Sequence, residues 1–297
     1  MNYEEVKKEN FFKRVFVVIS KILRYISDHF KGLLFLLILF LVFAPASKEV
    51  ARPYNLEKIK LSGPILDVSD VLEKIQKAKE NSKVKGVLLE VNSPGGAVAP
   101  SIEIAYAIKE LQKQKPVVVY AGGILASGSY YASIWADEII ANPGSLVGSI
   151  GVIIEGADIS GLMHKIGVKT QTIQAGKYKK VGTPDRAWKP YEKAELKKVI
   201  YDTYDMFTAD VAAARKLSLK EKSKWADAHI FTARQAKRVG LIDRVGVLFD
   251  AKQRLEQLSG VTNPVWSQEE PLEKFFKKIS ATAAVQLYTY FPTFSLR

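Results

Sequence analysis

Beyond residue 55 the chain alternates short apolar runs with amphipathic stretches, and few architectures accommodate that alternation. "LEKIKLSGPI" alternates as a strand up to Gly63-Pro64. "VSDVLEKIQKAKEN" follows with helical spacing, capped by Ser69 or Asp70. "VKGVLLEVNSPGG" has the character of a strand buried on both faces and broken at Pro94-Gly95-Gly96. In "PSIEIAYAIKELQKQ", Ile102, Ala105, Ile108 and Leu111 share one helix face. "KPVVVYAGG" is another buried strand, "ASGSYYASIWA" is helical, and "DEIIANPG", "GSIGVIIEG" and "VKTQTIQAG" are expected as further strands. "YEKAELKKVIYDTYDMFTADVAAARK" is a long amphipathic helix; "TARQAKRVGLIDRVG" is a helix stopped by Gly240, then a short strand. Strands alternating with helices imply an α/β fold whose mostly parallel sheet is covered on both faces.

The N-terminus obeys a different rule. "GLLFLLILFLVFAPA", Gly32 to Ala46, carries no charge. As a helix it spans ~22 Å, and adding Phe30 and a snorkelling Lys31 brings it near the lower limit of a membrane span. Lys7, Lys8, Lys13, Arg14, Lys21, Arg24 and Lys31 precede it, whereas only Lys48 and Arg52 follow closely. That asymmetry predicts a cytoplasmic segment 1–30, a transmembrane signal anchor 31–47 and an extracytoplasmic domain 48–261. The membrane lipid is then a partner. Ala44-Pro45-Ala46 resembles a cleavage site, but the lead before the run is long for a signal peptide and Pro45 is awkward there. Within the lead, "FFKRVFVVISKILRYI" could lie on the inner leaflet as an amphipathic helix. Residues 262–297 form an aromatic and basic tail that suits an interfacial helix, an oligomer contact or a loose end. Net charge is +13, with acids interspersed and without nucleic-acid motifs, which fits a solvated basic surface and no nucleic-acid partner.

The chain has no Cys and three His. Thiol nucleophiles, disulfides and thiolate metal sites are therefore excluded. His29, His164 and His229 are far apart in sequence, so neither a metal site nor a Ser-His-Asp triad is expected. Ser127, in "ILASGSYYAS", is a nucleophile or the polar start of a helix. It lacks the G-x-S-x-G elbow. Pro94-Gly95-Gly96 is a plain strand-to-helix turn or a source of backbone N–H groups for an oxyanion. A serine without histidine can use a lysine amine, provided burial or neighbours lower its pKa from about 10.4. "QAGKYKKVGTPDR" supplies Lys177, Lys179 and Lys180 in one loop, which on its own suits a solvated face as well as a base.

From about residue 55 to about 260 these segments together resemble the bacterial signal peptide peptidase A family, serine–lysine peptidases related in fold to Clp protease and the crotonases. "VNSPGGAV", "LASGSYYAS", "ANPGSLVGSIGVI", "GKYKKVGTPDR" and "FTARQAKRVGLIDRVG" are similar to the family's motifs, in the family's order. The resemblance implies a Clp protease/crotonase-like spiral behind one N-terminal transmembrane helix. It implies Ser127 as nucleophile, Lys179 as general base, Ser149 as the residue orienting the lysine, and the Gly96 and Gly128 N–H groups as oxyanion hole. It implies no cofactor, a homo-oligomeric ring in which neighbouring subunits complete each site, and signal peptides or short unfolded peptides as substrates. The location implied is the bacterial cytoplasmic membrane, single-pass, with the catalytic domain outside. The rival expectations are a non-catalytic membrane scaffold of the same fold, or a related protease processing another membrane protein. Two departures stand out. Ser129 replaces a family glycine, and His229, in "DAHIFTA", stands where arginine is common.

Overall fold

The computed structural model describes residues 20, 21, 24–43 and 53–268, in two units divided at Arg52/Pro53. In the first unit, helix α1 spans Phe30–Phe43, 14 residues built of the apolar run. Among the described residues no helix is long and apolar enough to cross a membrane. Most of "FFKRVFVVISKILRYI", the Ala44-Pro45-Ala46 segment, and the tail beyond residue 268 lie outside the described residues.

The second unit is an α/β domain. Its strands are β1 (Leu56–Ser62), β2 (Gly86–Ser93), β3 (Val117–Ala126), β4 (Glu138–Ala141), β5 (Leu146–Gly148), β6 (Ile230–Thr232) and β7 (Arg244–Val245). The helices placed between and after them are α2 (Ser69–Glu80), α3 (Val98–Gln112), α4 (Gly128–Ser133), α5 (Ser160–Lys165), α6 (Pro190–Arg215), α7 (Lys222–Trp225), α8 (Ala233–Arg238) and α9 (Leu248–Ser259). The sheet runs β1-β2-β3-β4-β7, every pair parallel, with β5 beside β3 and β6 antiparallel to β5. Alternate residues of the central strands serve opposite faces. Val87, Leu89, Val117 and Val119 enter the larger core, while Leu88, Val118 and Tyr120 pack with Ala251 and Leu255 of α9. A strand buried on both faces must be a continuous apolar run, as "VKGVLLEV" is. Residues 265–267 extend the sheet beyond β1. The Val265 carbonyl accepts from Leu56 N–H at 3.1 Å and the Leu56 carbonyl from Ser267 N–H at 2.9 Å.

One irregularity shapes the site. Val91 pairs with Ala121 and Ser93 with Leu125, so Asn92 alone stands opposite Gly122, Gly123 and Ile124. The Asn92 carboxamide oxygen accepts from Ile124 N–H at 3.0 Å and closes the gap. A Cβ on Gly123 would sit 2.6 Å from that oxygen and would push the carboxamide out of this bond. A bulge of this kind bends its strand. Before the bulge β3 pairs with β4; after it, Ile124–Ala126 leave β4 and pair with Leu146–Gly148 of β5. The sheet forks, and the fork carries the serines discussed below.

Two expected strands are not formed. "GSIGVIIEG" ends as a strand at Gly148, and residues 149–159 have no regular structure. Ser149 adopts φ 49°, which stops the ladder, and its N–H is taken by the His229 carbonyl at 2.7 Å. "VKTQTIQAG" is irregular and exposed throughout. Its alternation has no neighbouring strand to pair with, and strand propensity without a ladder or a buried face does not hold. The helix after β1 begins at Ser69 with Val68 at its cap position. Asp67, rather than Ser69 or Asp70, does the capping work, accepting Ser69 N–H at 2.9 Å.

Candidate active site

Ser127 follows directly on β3 and precedes α4. Its φ is 52° and ψ −124°, a region that non-glycine residues avoid at a cost of about 1–3 kcal/mol. Such strain persists only where neighbours over-determine it. Here the Ser127 N–H donates to the Gly148 carbonyl at 2.8 Å, and its own carbonyl accepts the Tyr131 N–H at 3.0 Å. Ser129 adds a clip. Its fully buried hydroxyl accepts from Ala126 N–H at 2.9 Å and donates to the Ser93 carbonyl at 2.7 Å, tying the ends of β2 and β3 together beneath Ser127. A glycine at 129 could not do this. Ser129→Ala removes the hydroxyl that serves the buried Ser93 carbonyl and the half-buried Ala126 N–H. It should lower unfolding free energy by about 1–3 kcal/mol, measured from the urea midpoint at unchanged slope.

Ala126 pairs in register with Gly148. Ser127 and Ser149 are therefore the next residues beyond one parallel pair, and strand spacing puts their backbones ~5 Å apart. Both have left-handed backbone and both line one cavity of about 370 Å³. Gly96 and Gly128 line it too. Ile65 pins the Gly95-Gly96 turn, donating to the Gly95 carbonyl at 2.9 Å and accepting from Ala97 N–H at 2.8 Å. A Cβ on Gly96 would lie 2.2 Å from the Ile65 carbonyl oxygen, and one on Gly128 2.2 Å from Ser101 Oγ. At Gly96 the obstacle is backbone, which admits no side chain; at Gly128 a side chain would have to displace the Ser101 hydroxyl. Among the described residues no acceptor takes the Gly96 or Gly128 N–H, and a Cβ on Gly128 would fall 3.3 Å from the Gly96 nitrogen. Two adjacent unused donors beside a strained serine can hold a negatively charged oxygen.

The far wall comes from α6, through Tyr204, Met206 and Phe207, which the sequence marks only as helix-face residues. Tyr131, on α4, packs edge-on against Phe207 with centroids 4.7 Å apart and donates its hydroxyl to Asp210. Burial, and then that carboxylate, push the Tyr131 phenol well up.

Lys179 is exposed in the loop between α5 and α6 and is not part of the cavity wall. The three loop lysines are nevertheless distinct. The Lys177 ammonium lies 5.5 Å from the Tyr178 ring centroid and 5.1 Å from that of Tyr191. Lys180 is paired with Asp185 at 2.8 Å, and Thr170 bonds the same carboxylate oxygen, also at 2.8 Å. Lys179 has no side-chain partner among the described residues. The loop is fixed to the start of α6 by Arg186, which grips buried Glu192 at 2.6 and 2.8 Å. The Arg186 guanidinium and the Lys189 N–H hold the Glu192 carboxyl down at about 2. His229 and His164 are both exposed; what His229 contributes is its carbonyl, bonded to the Ser149 N–H.

A parallel α/β sheet that ends on a strained serine beside two free backbone donors has the build of a serine hydrolase. The family profile described as "Peptidase family S49" matches residues 109–262, just over half of the 297 residues. A protein of Methanocaldococcus jannaschii that carries a protease name is 46% identical over 220 residues, covering 74% of this chain and 65% of that one. An Enterococcus faecium protein named as a signal peptide peptidase, SppA, is 33% identical over 230 residues, 73% of this chain and 67% of its own. Among solved structures, a membrane-bound stomatin-specific protease superposes with a TM-score of 0.48 at 14% identity, over 68% of this chain and 84% of that one. The chain belongs to peptidase family S49.

Proposed function

We propose that the chain is a membrane-anchored serine endopeptidase working through Ser127 and Lys179, and that it degrades signal peptides left in the membrane after secretion. The observation that carries the reading is the meeting of Ser127, Ser149 and the Gly96 and Gly128 N–H groups on one cavity. Ser127 Oγ attacks the scissile carbonyl while the Lys179 amine takes its proton. The tetrahedral oxyanion is received by the two glycine N–H groups. Collapse expels the leaving amine, protonated by Lys179, and leaves an acyl-serine that water hydrolyses with the lysine again as base. Ser149 aims the amine, as the third member of a triad orients its base. Of the three loop lysines, Lys179 alone has no ring or carboxylate to hold it, which supports its choice.

Lys179 stands outside its own chain's cavity, so a neighbouring subunit of a homo-oligomeric ring supplies it. Segment 150–189 exposes Ile153, Leu162, Ile166 and Ile173, the kind of surface such a neighbour covers. Residues 31–47 anchor the chain in the cytoplasmic membrane with residues 1–30 inside, on the strength of the basic residues preceding the apolar run. The similarity to a protein named as a signal peptide peptidase supports the substrate. The test is digestion of synthetic signal peptides by the full chain in detergent, with products mapped by mass spectrometry. Cleavage within their apolar stretch is expected; intact signal peptides alongside cleavage of other peptides would reject this substrate.

A further inference from the structure

Asp227 is the one carboxylic side chain among the described residues that line the cavity, and it is exposed; the rest of the wall is apolar, glycine or hydroxyl. It has a well-defined seat. Trp225 and Ala226 before it are buried, and Ala226 N–H donates to the Lys222 carbonyl at 2.7 Å. Asp227 N–H donates to the Tyr204 hydroxyl at 3.0 Å, and Ala228 N–H to the Ile150 carbonyl at 2.9 Å. Both residues have left-handed backbone, φ 60° and 57°, a conformation that costs a non-glycine residue energy and is kept here by those bonds. The turn is thus fastened to the walls on both sides: to α6 through Tyr204, and to the segment after Ser149 through Ile150.

The carboxylate itself has no hydrogen-bond or ion-pair partner among the described residues. Lys222, whose carbonyl accepts the Ala226 N–H, directs its ammonium to Asp205 at 3.4 Å and to the Tyr204 ring at 5.2 Å from its centroid. An unpaired anion at the edge of a mainly apolar cavity attracts a cationic group on whatever occupies that cavity.

We infer that Asp227 is a specificity-determining residue, accepting a cationic nitrogen of the peptide whose scissile bond lies at Ser127. The inference rests on the peptidase reading above. The nitrogen belongs to a lysine or arginine side chain near the scissile bond, or to a free peptide amino terminus.

The test uses the full chain in detergent and fluorogenic peptides of one apolar sequence. Lysine, leucine or glutamate is placed in turn at each position flanking the cleaved bond, with the amino terminus free or acetylated. Asp227→Asn is the informative variant because asparagine tolerates φ near +60° and keeps the turn. The wild-type protein should favour lysine over leucine at one position by about fivefold in kcat/KM, or the free over the acetylated terminus by as much; which arm responds identifies the cation. That preference should fade with rising salt and vanish in Asp227→Asn, and Asp227→Lys should favour glutamate at the same position. A purely structural role for the turn would not reverse the preference. No charge preference in the wild type, or one that Asp227→Asn leaves intact, overturns the inference while peptide cleavage persists. An equal loss on all substrates also overturns it, placing Asp227 in turnover rather than choice. Absence of cleavage of every peptide, in wild type and Ser127→Ala alike, would instead be the failure of the peptidase reading.

Discussion

Ser127→Ala abolishes peptide turnover. The expected loss is at least about 10⁴-fold in kcat, because no acyl-enzyme forms and only the cavity and the backbone donors remain. The variant should fold as the wild type does. The Ser127 N–H and carbonyl bonds, to Gly148 and from Tyr131, involve only backbone, and alanine pays the same cost at φ 52° that serine does. Its unfolding midpoint therefore stays with the wild type's while its activity disappears. A variant that still cleaves peptides at a tenth of the wild-type rate would remove Ser127 from the chemistry and leave it only a place at the start of α4, where its side chain makes no cap bond.

The second large effect falls on the lysine loop. Lys179→Ala should lower kcat by about 10²–10⁴-fold with KM changed far less, the range for loss of a general base. Lys177→Ala and Lys180→Ala should stay within a few-fold of wild type. Lys179→Arg should not rescue, because a guanidinium keeps its protons and cannot accept another. Mixing inactive Ser127→Ala subunits with inactive Lys179→Ala subunits should restore part of the activity, since some sites would then pair an intact serine with a neighbour's intact lysine. Full activity in Lys179→Ala, with loss in Lys177→Ala or Lys180→Ala, would move the base to another residue of the loop.

The parallel core was legible because burial on both faces forces a continuous apolar run. Val87, Leu88, Leu89 and Val91 could be assigned to a strand from composition alone. The long helix Pro190–Arg215 was equally plain from its spacing. The fork in the sheet was not. A period of two says which residues share a face but nothing about register, so the three residues of β3 opposite Asn92 leave no mark beyond two glycines. The overreach at "GSIGVIIEG" has the same origin. Apolar residues continue past Ser149, but a single left-handed residue, tied to His229, ends the ladder. At the site, Ser127, Ser149 and Gly96 sit at strand ends, where the sequence shows a break, and all three reach the cavity. Lys179 lies in an irregular loop whose position no local pattern specifies. Asp227 lies in a turn held by contacts to Tyr204 and Ile150, residues remote from it in sequence. Only the assembled fold brings Asp227 to the cavity that the serines line.

The most direct test of the central claim is to treat the full chain with a fluorophosphonate probe and locate the adduct by peptide mapping. One adduct per chain, on Ser127, with labelling markedly slowed in Lys179→Ala, is the result the arrangement of Ser127, Ser149 and the two glycine donors predicts. A probe that leaves Ser127 unmodified, or that labels it equally fast without Lys179, would contradict it.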